Sequence, residues 1–131
     1  MRYLLDTQAL IWFVENNLRL SLNAKNLIEN AQNDIFVSHF SFVEIAIKQA
    51  VQKVFLQQGL DSLIEETRQQ FIEVIAIKNT HLLAYANIPF LENHRDPFDR
   101  MIIATAVTEQ LTLISTDEKM SWYPELINVE W

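Results

Sequence analysis

Cysteine is absent from the 131 residues, and glycine occurs once, as Gly59. The first absence removes disulfides, thiol nucleophiles and thiolate metal sites together, and it fits an intracellular chain. The second removes phosphate-cradling loops and dinucleotide fingerprints, which need two or three glycines within about eight residues. Basic residues are also few: 10 Lys and Arg stand against 17 Asp and Glu, for a formal charge of −7. With a sequence pI near 4.8, the chain is not a generic basic clamp for nucleic acid. Neutralisation of phosphates by Lys and Arg supplies most non-specific affinity, although local basic patches remain open to it. Long apolar runs are missing too. No stretch approaches about 18 uncharged apolar residues, and Asp6 and Gln8 interrupt what would be the apolar part of a signal peptide. The expectation is a cytoplasmic protein with no membrane span.

What is present suffices for a core. Half of the residues, 50%, are hydrophobic, and a domain of this size buries roughly two thirds of the surface that its unfolded chain exposes. No linker, repeat or low-complexity tract divides the sequence, so residues 1–131 read as one domain. Short β-rich runs alternate with helical patterns. Strands are expected at Arg2–Leu5, Ile35–Ser38, Ile72–Ile77, Thr112–Ser115 and Ile127–Glu130. Amphipathic helices are expected at about 7–16, 22–32, 42–54, 61–70, 80–86 and 97–109, where apolar residues recur three and four apart. The alternation predicts a mostly parallel sheet of about five strands covered on both faces, a three-layer α/β/α sandwich.

Ligands of such sheets bind outside the carboxyl ends of the strands. Asp6 directly follows the first strand, Asp117 follows Thr112–Ser115, and Glu44 is expected to open the helix after Ile35–Ser38. Asp96 and Asp99 open the helix that leads into the fourth strand. Singly, each acid has an ordinary reading as a helix cap. Ser41 with Glu44 spells a capping box, Asp96-Pro97 reads as an N-cap with proline at the first helical position, and Asp117 is placed to cap a short turn. Asp6 differs, because it ends the buried-looking strand Tyr3-Leu4-Leu5 and precedes Ala9, Leu10 and Ile11. A buried acid needs a partner.

Collectively the acids demand more. Carboxylates brought within about 4 to 6 Å repel by roughly 4 kcal/mol per close pair at an effective dielectric of 20. Apart from Lys119, no Lys or Arg neighbours Asp6 or Asp117 in the sequence. A divalent cation is then the natural counter-charge, and oxygen ligands without Cys or clustered His favour Mg²⁺ or Mn²⁺ over Zn²⁺. His39, His81 and His94 lack metal-ligand spacing and read as surface or loop residues. Lys48, four residues after Glu44, reads either as a helical ion pair or as a phosphate contact. Arg95 and Arg100 read as solvated charge or as phosphate-positioning groups. Trp12, Phe13, Phe40 and Phe42 read as packing, since stacking platforms come with a basic groove.

Three stretches carry a resemblance: Leu4-Leu5-Asp6-Thr7-Gln8-Ala9-Leu10-Ile11-Trp12, Ser38 to Lys48 around Glu44, and His94-Arg95-Asp96-Pro97-Phe98-Asp99-Arg100 running on to Ala104. With Leu113-Ile114-Ser115-Thr116-Asp117 as a fourth, they resemble the PIN domain, and within it the VapC-like ribonucleases of type II toxin-antitoxin systems. The likeness covers essentially the whole chain, with the motifs in the right order. It implies a small PIN-like nuclease whose acids Asp6, Glu44, Asp99 and Asp117 hold Mg²⁺ or Mn²⁺ and hydrolyse RNA. Thr7, Lys48, Asp96, Arg100 and Thr116 are the implied supporting or substrate-facing residues. A cognate antitoxin and a homodimer are the implied partners. Gln8 departs from the pattern, standing where close relatives often carry His. A different class of reading is a non-catalytic module of the same fold that binds basic partner segments at its acidic rim. A receiver-type phosphotransfer domain fits less well, because it needs paired acids at the first strand end.

Overall fold

The computed structural model describes residues 1–131. The chain runs β1 (Arg2–Leu5), α1 (Thr7–Val14), α2 (Leu22–Glu29), β2 (Asp34–Ser38), α3 (His39–Ala50), α4 (Leu60–Gln69), β3 (Glu73–Ile75), α5 (Asn79–Asn87), α6 (Pro97–Glu109), β4 (Thr112–Ile114), a 3-10 turn (Glu118–Trp122) and β5 (Val129–Glu130). The five strands form one sheet in the order β3-β2-β1-β4-β5, and every pairing is parallel. Tyr3 pairs with Ile35 on one side and Thr112 on the other.

Side chains alternate across β1, so Leu4 faces one layer while Tyr3 and Leu5 face the other. Tyr3 and Leu5 join Ile35, Val37, Leu10, Ala24, Phe42, Ile45 and Leu63 under α1 to α4. Leu4 joins Phe36, Leu113, Met101, Ile102 and Ile103 under α6. The result is the expected α/β/α sandwich. Leu4, Leu5, Val37, Leu113 and Ile114 are all fully buried, and each such side chain contributes about 1.5–3 kcal/mol by leaving water. That double-sided burial is why these strands read as near-continuous apolar runs.

Several boundaries differ from expectation. The helix expected from residue 42 begins at His39, because Ser38, still the last residue of β2, already supplies the cap by accepting from Phe40 N at 3.1 Å. Ser41 is therefore not a cap and Glu44 does not open the helix; it sits in its second turn. The expected strand Ile72–Ile77 shortens to Glu73–Ile75, an edge strand paired only with β2. α1 stops before Asn16, whose φ of +54° breaks the helical path. Gly59 has φ +89° and immediately precedes α4, a backbone conformation that L side chains adopt only under strain.

Candidate metal centre

The strand order reverses direction between β1 and β4, the place in a parallel sheet where the outgoing chains diverge and leave a crevice. β1 and β4 are held there by Asp6 N donating to Ile114 O at 3.1 Å. Asp6 is buried at this point. Its Oδ1 accepts from Ala9 N at 2.7 Å, which caps α1, and its Oδ2 accepts from Ser115 Oγ. Burial pushes the carboxyl up to about 6, against the lowering effect of those two bonds, and the charges of Asp99 and Asp117 push it the same way.

Asp99 lies in the first turn of α6, behind an N-cap in which Asp96 Oδ1 accepts from Phe98 N at 2.8 Å and from Asp99 N at 3.2 Å. The Asp96-Pro97 cap is as the sequence implies. Asp99 is raised as well, chiefly by burial and then by the Asp96 and Asp117 charges, although its bond with His94 pulls the other way. Asp117 caps the 3-10 turn, accepting from Lys119 N at 3.0 Å, and its own N–H donates to Ser115 Oγ at 3.1 Å. One ligand atom each from His94, Asp99 and Asp117 fall within 4.8 Å of one another. Asp6, Asp99 and Asp117 thus act on each other electrostatically from three distant parts of the sequence.

Glu44 is arranged differently. Thr7 Oγ1 donates to its Oε1 at 2.6 Å and lies 3.0 Å from Ser41 Oγ, while Lys48 Nζ holds its Oε2. The buried Ser41-Thr7-Glu44 chain explains why a serine stands inside the helix. Lys48 keeps about a third of its side chain exposed, 32%. Burial works against its charge, but the Glu44 bond and the charges of Glu44, Asp96 and Asp99 more than offset it and hold its pKa above the ordinary value. Lys48 forms the helical ion pair with Glu44 that their four-residue spacing suggests, leaving the Asp6, Asp99 and Asp117 group without a lysine or arginine of its own.

One supporting residue, Arg100, is placed otherwise than expected. Arg100 is buried, and its guanidinium donates to Pro89 O at 3.0 Å and Ile88 O at 3.1 Å, so it is occupied by backbone carbonyls. Thr116 is exposed, and the hydroxyl that meets Asp6 belongs to Ser115. Reading His81 as a surface or loop residue is also wrong, since it is buried within α5, and His94, though in the connection between α5 and α6, has a fully buried side chain. His94 Nε2 lies 3.0 Å from Asp99 Oδ2, and its Nδ1 lies 2.9 Å from Tyr123 OH. The spacing of His94 five residues before Asp99 was visible, but its second partner is 29 residues away, beyond any local pattern.

A parallel α/β sheet with acids from three chain segments at its switch point is the class of protein that these elements define. The profile of the PIN domain family matches residues 3–126, and the chain belongs to that family. No curated protein matches the sequence significantly. Among solved structures, the chain is similar to VapBC2 from Rickettsia felis bound to a DNA fragment from their promoter, with TM-score 0.67, 22% identity and coverage of 99% of this chain and 98% of that one. It is similar to VapBC-1 from nontypeable Haemophilus influenzae, with TM-score 0.65, 17% identity and coverage of 99% and 97%. A toxin-antitoxin complex from Klebsiella pneumoniae gives TM-score 0.63, 20% identity and coverage of 98% and 96%. At these identities the likeness establishes a shared fold. No helix is long and apolar enough to cross a membrane.

Proposed function

We propose that residues 1–131 form one PIN nuclease domain, a Mg²⁺- or Mn²⁺-dependent endoribonuclease acting in the cytoplasm as the VapC-like toxin of a toxin-antitoxin pair. The observation that carries this reading is the convergence of Asp6, Asp99 and Asp117 at the switch point with no cation among them. The donor set fits a hard divalent ion: carboxylate oxygens predominate, with one imidazole nearby and no thiolate. Asp6, Asp99 and Asp117 would hold the metal, and Glu44 borders the site through Thr7. When bound, Mg²⁺ or Mn²⁺ lowers the pKa of water and offsets charge developing on the scissile phosphate.

The chain's own contribution is positioning. Ala9 N and Ser115 fix both oxygens of Asp6. Thr7 and Lys48 fix both oxygens of Glu44, which would orient the attacking water. Lys48, partly exposed at the same rim, contacts a substrate phosphate. Asp96 keeps its capping role.

The proposed partners are RNA as substrate, a cognate antitoxin that silences the toxin, and a second copy in a homodimer. The structural relatives include a toxin-antitoxin complex, which supports the antitoxin. The test uses purified protein free of any partner. RNA from the host should be cut with Mg²⁺ or Mn²⁺ and spared with EDTA, and expression should arrest growth unless a neighbouring small open reading frame is co-expressed. No cleavage with either metal together with unimpaired growth would reject the toxin and leave a non-catalytic module that binds basic segments.

A further inference from the structure

The first turn of α6, which carries Asp99, and the 3-10 turn that Asp117 caps are bridged by the His94 side chain. His94 precedes α6, where its backbone N donates to Leu91 O at 3.0 Å, and the buried Arg100 guanidinium clamps the adjacent Ile88 and Pro89 carbonyls. Its ring reaches out of this segment in two directions, to Asp99 Oδ2 through Nε2 and to Tyr123 OH through Nδ1. Tyr123 closes the 3-10 turn that Asp117 caps. The path Asp117 to Tyr123 to His94 to Asp99 therefore spans the gap between two acids that repel each other. Trp122 packs against the same imidazole, edge to face at 6.2 Å between ring centroids.

With the imidazole neutral and Asp99 ionised, the hydrogen-bond chemistry sets the tautomer. An ionised carboxylate has no proton to give, so the nitrogen facing Asp99 carries the hydrogen. The other nitrogen then has only a lone pair, which the Tyr123 hydroxyl satisfies by donating. Both ring nitrogens are spent, Nε2 by its proton and Nδ1 by Tyr123, so neither offers a lone pair to a metal.

We propose that His94, oriented by Tyr123, is the positioning residue of the acidic centre: it holds one oxygen of Asp99, leaves the other for a cation, and sets the approach of the Asp99 and Asp117 segments. It acts as a donor to a ligand, as partners outside the ligand set do in established metal sites, and not as a ligand. This inference rests on the proposed metal centre.

The test is Mn²⁺ binding to the metal-free protein, followed by electron paramagnetic resonance at one fixed pH, and needs no substrate. His94→Ala should weaken binding about ten- to a hundredfold, the usual scale for losing such a partner. His94→Gln should rescue to within about threefold of the parent, because its amide N–H occupies the place of Nε2–H. Tyr123→Phe should fall between them while melting close to the parent without metal, and it carries the test if His94→Ala does not fold. Long-range ¹⁵N spectra of the metal-free parent should show the His94 proton on Nε2.

Parent-like binding by both His94→Ala and Tyr123→Phe overturns the proposal alone. So does a His94→Gln variant as weak as His94→Ala, which would make the ring nitrogen itself a ligand, or a proton found on Nδ1. A parent that takes up no Mn²⁺ overturns this inference and the metal centre together.

Discussion

The two ends of the sheet carry the same chemical pair in opposite electrostatic settings. At the strand-start end, His81 accepts from Lys78 N at 3.2 Å through Nδ1 and meets Glu109 Oε1 through Nε2 at 2.9 Å. At the strand-finish end, His94 meets Asp99 through Nε2 at 3.0 Å. Both imidazoles are fully buried. Yet the His81 bond and the Lys78 ammonium, 3.0 Å from Glu109, hold Glu109 below the ordinary carboxylate range, whereas burial and further carboxylates push Asp99 above it. The difference lies in the third party. A lysine completes one pair into a balanced structural latch, and more acid leaves the other unbalanced.

The contrast can be broken by substitution, and the widest gap should appear in activity. Asp99→Asn is expected to cut RNA cleavage by about a thousandfold, the scale of losing one electrostatic contact in a reacting site, yet to melt higher than the parent in EDTA because one repelling charge is gone. Glu109→Ala should leave cleavage near the parental rate. An Asp99→Asn protein that melts lower in EDTA would mark the carboxylate as a structural group only.

Next in size is the pH dependence of stability without metal. The folded-state pKa of Asp6, about 6, lies above its ordinary 3.8, so the folded chain holds that proton more tightly than the unfolded chain. The associated stability is full below about pH 4 and is lost as pH rises through about 6, a change of about 3 kcal/mol. Glu109 has the reverse sign: its contribution is present above the ordinary Glu pKa and is lost as pH falls through its lowered folded value. Urea titrations across this range should show the upper-end slope shrink in Asp6→Asn, with the part due to Asp99 left, and persist undiminished in Glu109→Ala.

Metal should then erase the difference. Mg²⁺ at a hundred times its dissociation constant is expected to stabilise the parent by about 2.7 kcal/mol, Glu109→Ala by as much, and Asp99→Asn by less. Thermal melts at matched ionic strength read all three, and an equal response from Asp99→Asn would remove it from the site. The smallest effect is structural: Glu109→Ala leaves buried His81 Nε2 without its acceptor, which should cost about 1–3 kcal/mol in EDTA and Mg²⁺ alike.

Legibility followed the range of the interactions. β1 and β4 announced themselves because strands buried on both faces are apolar throughout, and the Asp96-Pro97 cap because its chemistry is confined to adjacent residues. The start of α3 misled for the same reason. Ser41 and Glu44 have the spacing of a capping box, but Ser41 is turned inward by Thr7, a partner 34 residues away, and Ser38 does the capping. Ser115 as the partner of Asp6 was not visible, since which hydroxyl after β4 points inward depends on how β4 pairs with β1. His94 and Tyr123 share no local pattern at all. The acids were visible as candidates, as were Thr7 and Lys48 beside Glu44; Ser115 and Tyr123, which hold Asp6 and orient His94, were not.

One residue, Asp6, separates the end of β1 from the start of α1, and none separates β2 from α3. Junctions that short have no slack to absorb a change in chain length. A single residue inserted next to Asp6 would rotate α1 by about 100° relative to the strand, given 3.6 residues per turn, and carry Thr7 away from Glu44. In an insertion scan these two joints should tolerate nothing, while the loop between α3 and α4 accepts additions. The same stiffness makes this rim a rigid surface, whose acids keep their spacing whatever comes to meet them.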